Sequence, residues 1–112
     1  MKLVKNYKDN LYGLNCDCYD ILIDHNKIGI VGLYFNDGKA FSDIFIITEH
    51  RRKGYALQAK KLLFKQCGLT EIYSWVDKKN LASINLQYKM GYVLVEETDD
   101  KFLFIWRKSE SN

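Results

Sequence analysis

The segment that decides the fold runs from Ile46 to Ala56 and reads IITEHRRKGYA. It ends an apolar, β-prone run, crosses a short basic stretch and enters a helix at Gly54. The first N–H groups of a helix have no partner within the helix, and the helix dipole adds positive charge there. Gly54 lets the backbone approach a ligand closely, and the side chains of Arg51–Lys53 add three cations. The segment therefore predicts a site for an anion, and a diphosphate is the expected guest.

A plainer interpretation of the same segment is a solvated basic helix start with a convenient glycine. Two other phosphate-binding loops are excluded by the sequence. A Walker loop needs Gly-x-x-x-x-Gly-Lys-Ser/Thr and a Rossmann fingerprint needs three glycines, whereas this loop has one. The elements on either side of the segment therefore have to decide its role.

Before this segment, short β-prone runs alternate with turn residues. Strands are predicted at about Tyr19–Ile23, Ile28–Phe35 and Lys39–Ile47, with turns at Asp24–Lys27 and Asn36–Gly38. Runs of this kind, separated by Asn, Asp and Gly, are typical of an antiparallel meander.

After the segment, the apolar period changes from two residues to three and four. The elements predicted there are a helix at Tyr55–Cys67, a strand at Glu71–Val76, a helix at Leu81–Met90 and a hairpin of Tyr92–Glu97 with Lys101–Arg107. Asn80 is a good N-cap for the second helix, and Gly68 and Gly91 are placed to end the two helices. The resulting order, β-β-β-α-β-α-β-β, predicts an α+β fold. Its sheet is mixed and mostly antiparallel, with a central parallel strand pair and flanking helices.

The first of these helices is predicted to be amphipathic. Its apolar stripe consists of Ala56, Ala59, Leu62, Leu63 and Cys67. Lys60, Lys61 and Lys65 are predicted to fall outside that stripe. Along the last strand Phe102, Phe104 and Trp106 alternate, so we expect them to share one face of the sheet.

Composition limits the class of protein. The 112 residues suit a single domain at 1–108 with a polar tail at 109–112. A net charge of +3 is mild, so a dedicated nucleic-acid-binding domain is disfavoured. The longest apolar run, Ile28–Phe35, is far shorter than the roughly 20 residues of a membrane span. Three cysteines without a recognisable export signal predict reduced thiols and a cytoplasmic protein.

Two motifs resemble those of the GCN5-related N-acetyltransferases, the GNAT superfamily. Its pyrophosphate loop reads Gln/Arg-x-x-Gly-x-Gly/Ala, and here Arg51–Ala56 reads RRKGYA. Family members often carry Asn-x-x-Ala/Ser-x-x-Leu-x-x-Lys-x-Gly-Phe/Tyr further on, and Asn80–Tyr92 reads NLASINLQYKMGY. The predicted order of strands and helices is also that of the family's C-terminal core. The resemblance covers roughly Tyr19 to Arg107.

This resemblance implies acetyl-CoA as co-substrate, no metal, and transfer of the acetyl group to a primary amine. The pantetheine arm is expected to pair with backbone of the strand before the loop, at Phe45 and Ile46, as an added strand. The N–H of Ile46 is also a candidate oxyanion donor. The expected cofactor-binding residues are Phe45, Ile46, Arg51, Arg52, Lys53, Gly54, Tyr55, Ala56, Asn80 and Ser83. For Asn80 a plain N-cap role is an alternative that can coexist with cofactor contact.

Catalytic roles follow the resemblance less closely. Many family members place a tyrosine as leaving-group acid where this chain has Gln87, which shares a helix face with Asn80 and Ser83. An amide can donate a hydrogen bond to the thiolate but cannot supply a proton usefully. Tyr88, the next residue, can substitute only if the helix is rotated, and solvent is the other source of the proton. Asp43 is the candidate general base, with a structural carboxylate at the sheet edge as the alternative.

The acceptor cannot be named from the residues, because the family's N-terminal part is shortened in this chain. Lys2–Lys5 can form a short first strand, but the helices that shape the family's acceptor pocket have no counterpart. Either the acceptor site is open, which suits a protein side chain or terminus, or a second subunit of a homodimer completes it. The residues do not decide between a small amine, an antibiotic, a peptide amine and a protein lysine as acceptor. A catalytically silent acyl-CoA-binding or protein-interaction module of the same fold is the alternative to an enzyme.

Overall fold

The computed structural model describes residues 1–7 and 16–109, in which one sheet and two α-helices carry the fold. In chain order the elements are β1 (Lys2–Asn6), β2 (Cys16–Ile23), β3 (Asn26–Asn36), β4 (Lys39–Ile46), a 3-10 turn (Thr48–His50), α1 (Tyr55–Cys67), β5 (Glu71–Asp77), α2 (Leu81–Met90), β6 (Val93–Glu97) and β7 (Lys101–Arg107). Both helices and β7 have the bounds that the sequence predicts. Of the predicted polar tail, residues 110–112 lie outside the described part of the chain.

Several strand boundaries differ from the prediction. β2 begins at Cys16 rather than at Tyr19, and β6 begins at Val93. β4 ends at Ile46 because the next residues close a 3-10 turn, in which the N–H of His50 donates to the carbonyl of Ile47 at 2.9 Å. The loop between β4 and α1 therefore begins with a hydrogen-bonded 3-10 turn.

One sheet contains the seven strands in the order β1-β2-β3-β4-β5-β7-β6. All neighbours are antiparallel except β4 and β5, which are parallel, as predicted. The β2–β3 and β3–β4 hairpins turn on Asp24-His25 and Asp37-Gly38. These four residues all have positive φ, which two-residue hairpin turns of type I′ require.

Both helices pack on one face of the sheet, which we call the helix face. Phe104 and Trp106 of β7 lie on it, as their alternation predicts. Phe64 of α1 packs against Trp106 with ring centroids 4.8 Å apart and the rings tilted by 51°, and the ring centroid of Tyr88 of α2 lies 5.3 Å from that of Phe104. The main core lies between this face and α1, and its fully buried members include Ile21, Val31, Leu63, Ile72 and Phe104.

The opposite face of the sheet has no helical cover in the part of the chain that the structure describes. We call it the open face. Strand register places Tyr34, Phe41 and Tyr73 on it as neighbours, and the ring of Phe41 lies 5.1 Å from Tyr34 and 5.6 Å from Tyr73. By the same alternation Asp43 and Phe45 of β4 project towards the open face.

The predicted side of α1 needs one correction. Lys60, predicted to fall outside the apolar stripe, is only 1% exposed. Its position is four residues after Ala56 and three before Leu63, so it shares their side of the helix. The sequence assigned it outside because lysine is rarely buried without a partner.

Candidate active site

A cleft separates the C-terminal halves of β4 and β5. The two strands pair only at Phe41 and Tyr73, and beyond that point their facing edges are not joined in the described residues. A cavity of about 620 Å³ occupies the gap and extends along the start of α1 and one side of α2. Its lining includes these residues predicted to bind or act: Asp43, Phe45, Ile46, Arg51, Arg52, Gly54, Tyr55, Ala56, Asn80, Ser83 and Gln87.

The end of β4 presents its free edge to this cleft. The carbonyl of Ile46 accepts a hydrogen bond from Arg51 Nε at 2.7 Å, so it points away from β3. Since the N–H and C=O of one residue in an antiparallel strand lie on the same edge, the N–H of Ile46 also faces the cleft. The carbonyl of Phe45 faces β3 instead, because a Cβ built on Gly29 would overlap it. Of the two expected backbone partners, Ile46 is thus the one placed towards the gap.

Arg51 has a different position from the one that its basic character suggested. Besides its hydrogen bond to Ile46, its guanidinium lies 5.3 Å from the ring centroid of Phe45, which is 51% exposed. The side chain therefore braces the end of β4 and is not a mobile cation. Arg52 lines the cavity, whereas Lys53 is exposed and does not.

The start of α1 carries free main-chain donors. Gly54 is the N-cap residue with φ 80°, and among the described residues no side chain caps this end. The first helical hydrogen bond runs from the N–H of Gln58 to the carbonyl of Gly54 at 3.2 Å, which leaves the earlier N–H groups of the turn without helical partners. Arg52 also has a positive φ, of 64°. Left-handed residues in such a turn form a concave array of N–H groups that suits an anion.

The start of α2 forms a second edge of the cavity. The side chain of Asn80 accepts a hydrogen bond from the N–H of Ser83 at 3.1 Å, which is the N-cap geometry that the sequence predicts. One turn later, Gln87 is buried and its Nε2 donates to Ser83 Oγ at 3.4 Å. Asn80, Ser83 and Gln87 share one side of the helix and line the cavity together.

Lys60 is the functional candidate that sequence reasoning missed. Its Nζ donates to Gln87 Oε1 at 3.2 Å and lies 5.0 Å from the ring centroid of Tyr92. Burial lowers the pKa of Lys60 to about 7, an effect that the charge of Asp43 partly opposes. The spacing to Ala56 and Leu63 was the signal in the sequence that could have placed this lysine inside.

Asp43 lies on the other side of the cleft. Its Oδ1 accepts a hydrogen bond from the N–H of Ile44 at 2.7 Å. Although part of the side chain reaches solvent, burial by surrounding atoms raises the pKa of the carboxyl, while that hydrogen bond and the charge of Lys60 oppose the rise. A carboxylate and an ammonium group therefore act on one another across the gap.

Tyr88 is not placed for the catalytic role considered for it. Its side chain is 56% exposed, meets the edge of Phe104 and does not line the cavity. Helix α2 has the rotation that the Asn80 cap sets, and this rotation directs Gln87, not Tyr88, into the cavity. This geometry gives no support to the alternative that needed a rotated helix.

Residues 4–93 match the profile of the Acetyltransferase (GNAT) domain family, which is most of the chain. The chain belongs to this family. It is an acetyl-CoA-dependent N-acetyltransferase domain, as the two sequence motifs predicted. A search of curated protein sequences gives no significant match.

Solved structures share the fold of this acetyltransferase domain at low sequence identity. The N-acetyltransferase PseH of Campylobacter jejuni, solved with acetyl coenzyme A, is 13% identical with a TM-score of 0.73 over 86% of this chain and 70% of its own. The spermidine/spermine N-acetyltransferase SpeG of Vibrio cholerae is 20% identical with a TM-score of 0.71 over 87% and 69%. PaiA of Thermoplasma acidophilum, solved with coenzyme A, is 21% identical with a TM-score of 0.68 over 85% and 62%.

The residues of the cleft fit acetyl-CoA as the co-substrate. An unpaired strand edge suits the amide-containing pantetheine arm, and the uncapped start of α1 suits the pyrophosphate. Within residues 1–7 and 16–109, no three His, Cys, Asp or Glu side chains lie close enough to hold a metal ion. No helix there has the length and apolar character needed to cross a membrane.

Proposed function

We propose that this domain acetylates a primary amine by direct attack, with the donor in the cleft and the acceptor arriving over the open face. The observation that supports this best is the single bridge between β4 and β5, at Phe41 and Tyr73. Beyond it the cleft passes between the strands, so a group held on the helix face can be reached from the open face. The two substrates can therefore meet within the sheet without competing for one surface.

The donor side uses main-chain groups more than side chains. The N–H groups from Arg52 to Ala56 hold the pyrophosphate, and the side chain of Arg52 adds a charge. The N–H of Ile46 hydrogen bonds the carbonyl oxygen of the acetyl group, where negative charge develops during attack. Asn80 and Ser83 border the pantetheine arm while they cap α2. Bound acetyl-CoA supplies the activated acyl group, and these residues orient it.

Asp43 is the general base in this proposal. It projects towards the open face, from which the amine approaches, and its raised pKa makes the carboxylate a better proton acceptor. The hydrogen bond from the N–H of Ile44 fixes one oxygen and leaves the other for the amine. The alternative, a structural carboxylate, predicts no effect of its removal on the pH profile.

The acceptor is a small amine or an amine of a peptide or protein. On the open face the partly exposed rings of Tyr34 and Tyr73 give it a surface to lie on, while Phe41 between them is buried. The similarity to SpeG makes spermidine and spermine natural test compounds. A homodimer that covers the open face is the second arrangement we consider. No disulfide involves Cys16, Cys18 or Cys67 among the described residues, and reduced thiols are the state expected for a cytoplasmic protein.

The test is a thiol-release assay with acetyl-CoA against polyamines, amino acids and peptides, after calorimetry has shown that acetyl-CoA binds. Asp43→Asn should lower kcat/KM by about 100-fold and remove the acidic limb of the pH profile. Glu49→Gln is the matched control, because Glu49 is exposed in the 3-10 turn and does not line the cavity. Equal effects of the two substitutions would contradict the role of Asp43.

A catalytically silent acyl-CoA-binding module is the second candidate, and Gln87 is the observation that favours it. An amide at this position cannot protonate a leaving thiolate. Tight binding of acetyl-CoA without turnover of any amine in the panel would support this alternative. A measurable rate with any acceptor would exclude it.

A further inference from the structure

Lys60 is a buried charge that the fold itself does not need. It lies in the second turn of α1, is 1% exposed and lines the cavity. An unbranched apolar side chain could fill the same space without the cost of burying an ammonium group. Its hydrogen-bond partner, Gln87 Oε1, and the face of Tyr92 orient it but bring no opposite charge. Because burying an ammonium group costs free energy, its presence in the active-site cavity suggests that it has a chemical role.

The groups that face Lys60 leave it able to exchange a proton. Asp43 of β4 is the acidic group whose charge reaches it. Tyr92, after α2, donates or accepts a hydrogen bond with Ser42, and burial raises the pKa of Tyr92, so the phenol stays neutral. Gln87 contributes no charge from α2. With the pKa of Lys60 at about 7, the ammonium and amine forms are both populated near neutral pH.

Lys60 is set back from the proposed phosphate site, on the side of the cavity that borders α2. It follows Gly54, the proposed phosphate site, by six residues, which is about 9 Å along the axis of α1. Its Nζ touches Gln87, the position at which the family resemblance predicts a tyrosine as leaving-group acid. The ammonium group of Lys60, on α1, therefore lies beside the position on α2 where the family resemblance predicts the leaving-group acid.

We propose that Lys60 is the proton donor to the departing CoA sulfur, in place of the tyrosine that Gln87 replaces, and that Gln87 is the residue that positions it. This proposal rests on the proposed function. As the amine nitrogen bonds to the acetyl carbon, the C–S bond breaks and its electron pair goes to sulfur. Lys60 transfers one proton to that sulfur and becomes a neutral amine. The acceptor nitrogen loses one proton to Asp43. After the thiol leaves, Asp43 releases that proton to solvent and Lys60 regains one from solvent.

The first experiment measures the ionisation of the bound product instead of activity. Free CoA is titrated with pH in complex with the protein, and the thiolate is followed by its ultraviolet absorbance. Lys60→Met should lower the fraction of bound CoA present as thiolate at pH 7 by about tenfold, because the ammonium form of Lys60 is still populated at that pH and an adjacent cation favours the charged form of the thiol. Lys61→Met is the control, since Lys61 is the next residue of α1 and is exposed. It should leave the thiolate fraction unchanged.

The second experiment measures turnover with the best acceptor. Lys60→Met should lower kcat by about 100-fold, leave the KM for acetyl-CoA within a few-fold, and remove the alkaline limb that begins near the pKa of Lys60. Gln87→Leu should give an intermediate loss and move that limb, because it changes the surroundings of the ammonium group. An unchanged alkaline limb in Lys60→Met would overturn the proposal.

The outcomes separate this proposal from the proposed function. If the wild-type protein does not bind CoA, the proposed function fails. If it binds CoA but Lys60→Met leaves both the thiolate fraction and kcat unchanged, the proton-donor role alone fails. If Lys60→Met does not fold, the Nζ of Lys60 is titrated by NMR in the wild-type protein, where CoA binding should raise its pKa. An unchanged pKa, or acetylation of Lys60 found by mass spectrometry, would contradict the role as proton donor.

Discussion

The two faces of the sheet differ in how their surfaces are completed. On the helix face, α1 and α2 cover the strands and bring Lys60 and Gln87 together at 3.2 Å. On the open face, the stacked rings of Tyr34 and Phe41 have no helical cover in the described residues, and Asp43 projects beside them. The difference indicates that donor binding is built by two helices and the strand end beside them, whereas the acceptor side has no helix of its own in the described residues.

A negative charge at the start of α1 should have the largest effect on donor binding. A Cβ on Gly54 would meet nothing within 4 Å, so Gly54→Glu has room and places a carboxylate beside the free N–H groups. We expect acetyl-CoA affinity to fall at least 1,000-fold, about 4 kcal/mol, since like charges at a desolvated contact cost several kcal/mol. Calorimetry gives the affinity, and circular dichroism checks the fold.

Gly54→Gln is the control for that substitution. Both variants impose a side chain at φ 80°, which costs about 1–2 kcal/mol of backbone strain. Only Glu adds the charge, so the difference in affinity between the two isolates electrostatic repulsion. Equal acetyl-CoA affinities of the two variants would mean that the pyrophosphate binds away from the start of α1. The helix face would then not be the donor-binding side.

The donor side could be read from the sequence because its interactions are local. The N–H groups at Gly54 and the cap at Asn80 depend on residues within one turn, and both are present as predicted. The hydrogen bond of Arg51 to Ile46 was not predicted, because it depends on the path of the whole loop. A local pattern thus fixes where backbone donors are, but not where a long side chain goes.

Contacts between segments far apart in the chain could not be predicted from the sequence. Lys60 and Gln87 are 27 residues apart, and Ser42 and Tyr92 are 50 apart, so no local period relates them. Lysine is also expected on a surface, which outweighed the helical spacing that places Lys60 inside. The acceptor face could not be predicted for the same reason, since strand register decides which side chains meet on it.

The buried charge on the helix face should make stability depend on pH. The pKa of Lys60 is about 7 in the folded protein and about 10.5 when unfolded, so between these values the unfolded chain binds more protons. The free energy of unfolding therefore rises with pH over that window. Relative to Lys60→Met, the wild-type protein should gain about 3 kcal/mol between pH 7 and pH 10.

Urea denaturation at pH 7, 8.5 and 10 measures this gain, and taking differences between variants cancels the titration of other groups. Lys61→Met should keep the slope of the wild-type protein because its lysine is exposed in the folded state. Parallel pH curves for the wild-type protein and Lys60→Met would mean that Lys60 keeps its ordinary pKa. The helix face would then contain no lysine that changes its protonation near neutral pH, and Lys60 could not serve as the proton donor.

Adding a methyl group at Gly29 tests whether the close approach of β3 to β4 holds the end of β4 in place. The added Cβ would overlap the carbonyl oxygen of Phe45, which is backbone and cannot rotate away. Gly29→Ala should therefore destabilise the protein by about 2 kcal/mol, the usual scale of an overpacked site. It should also weaken acetyl-CoA binding, because β4 shifts at Ile46. Gly38→Ala has free space around its Cβ and should cost only its positive φ, without an effect on binding.

The smallest expected effect concerns the hydrogen bond that ties the end of α2 to β4. Ser42 Oγ and the hydroxyl of Tyr92 lie 2.9 Å apart, and both residues are 3% exposed. Tyr92→Phe should lower the free energy of unfolding by about 1 kcal/mol, and somewhat more if Ser42 is left without a partner. Ser42→Ala combined with Tyr92→Phe should cost less than the sum of the single changes, which urea denaturation of all four proteins would show. Strict additivity would mean that the two hydroxyl groups do not bond, and the helix face would then position α2 by apolar packing alone.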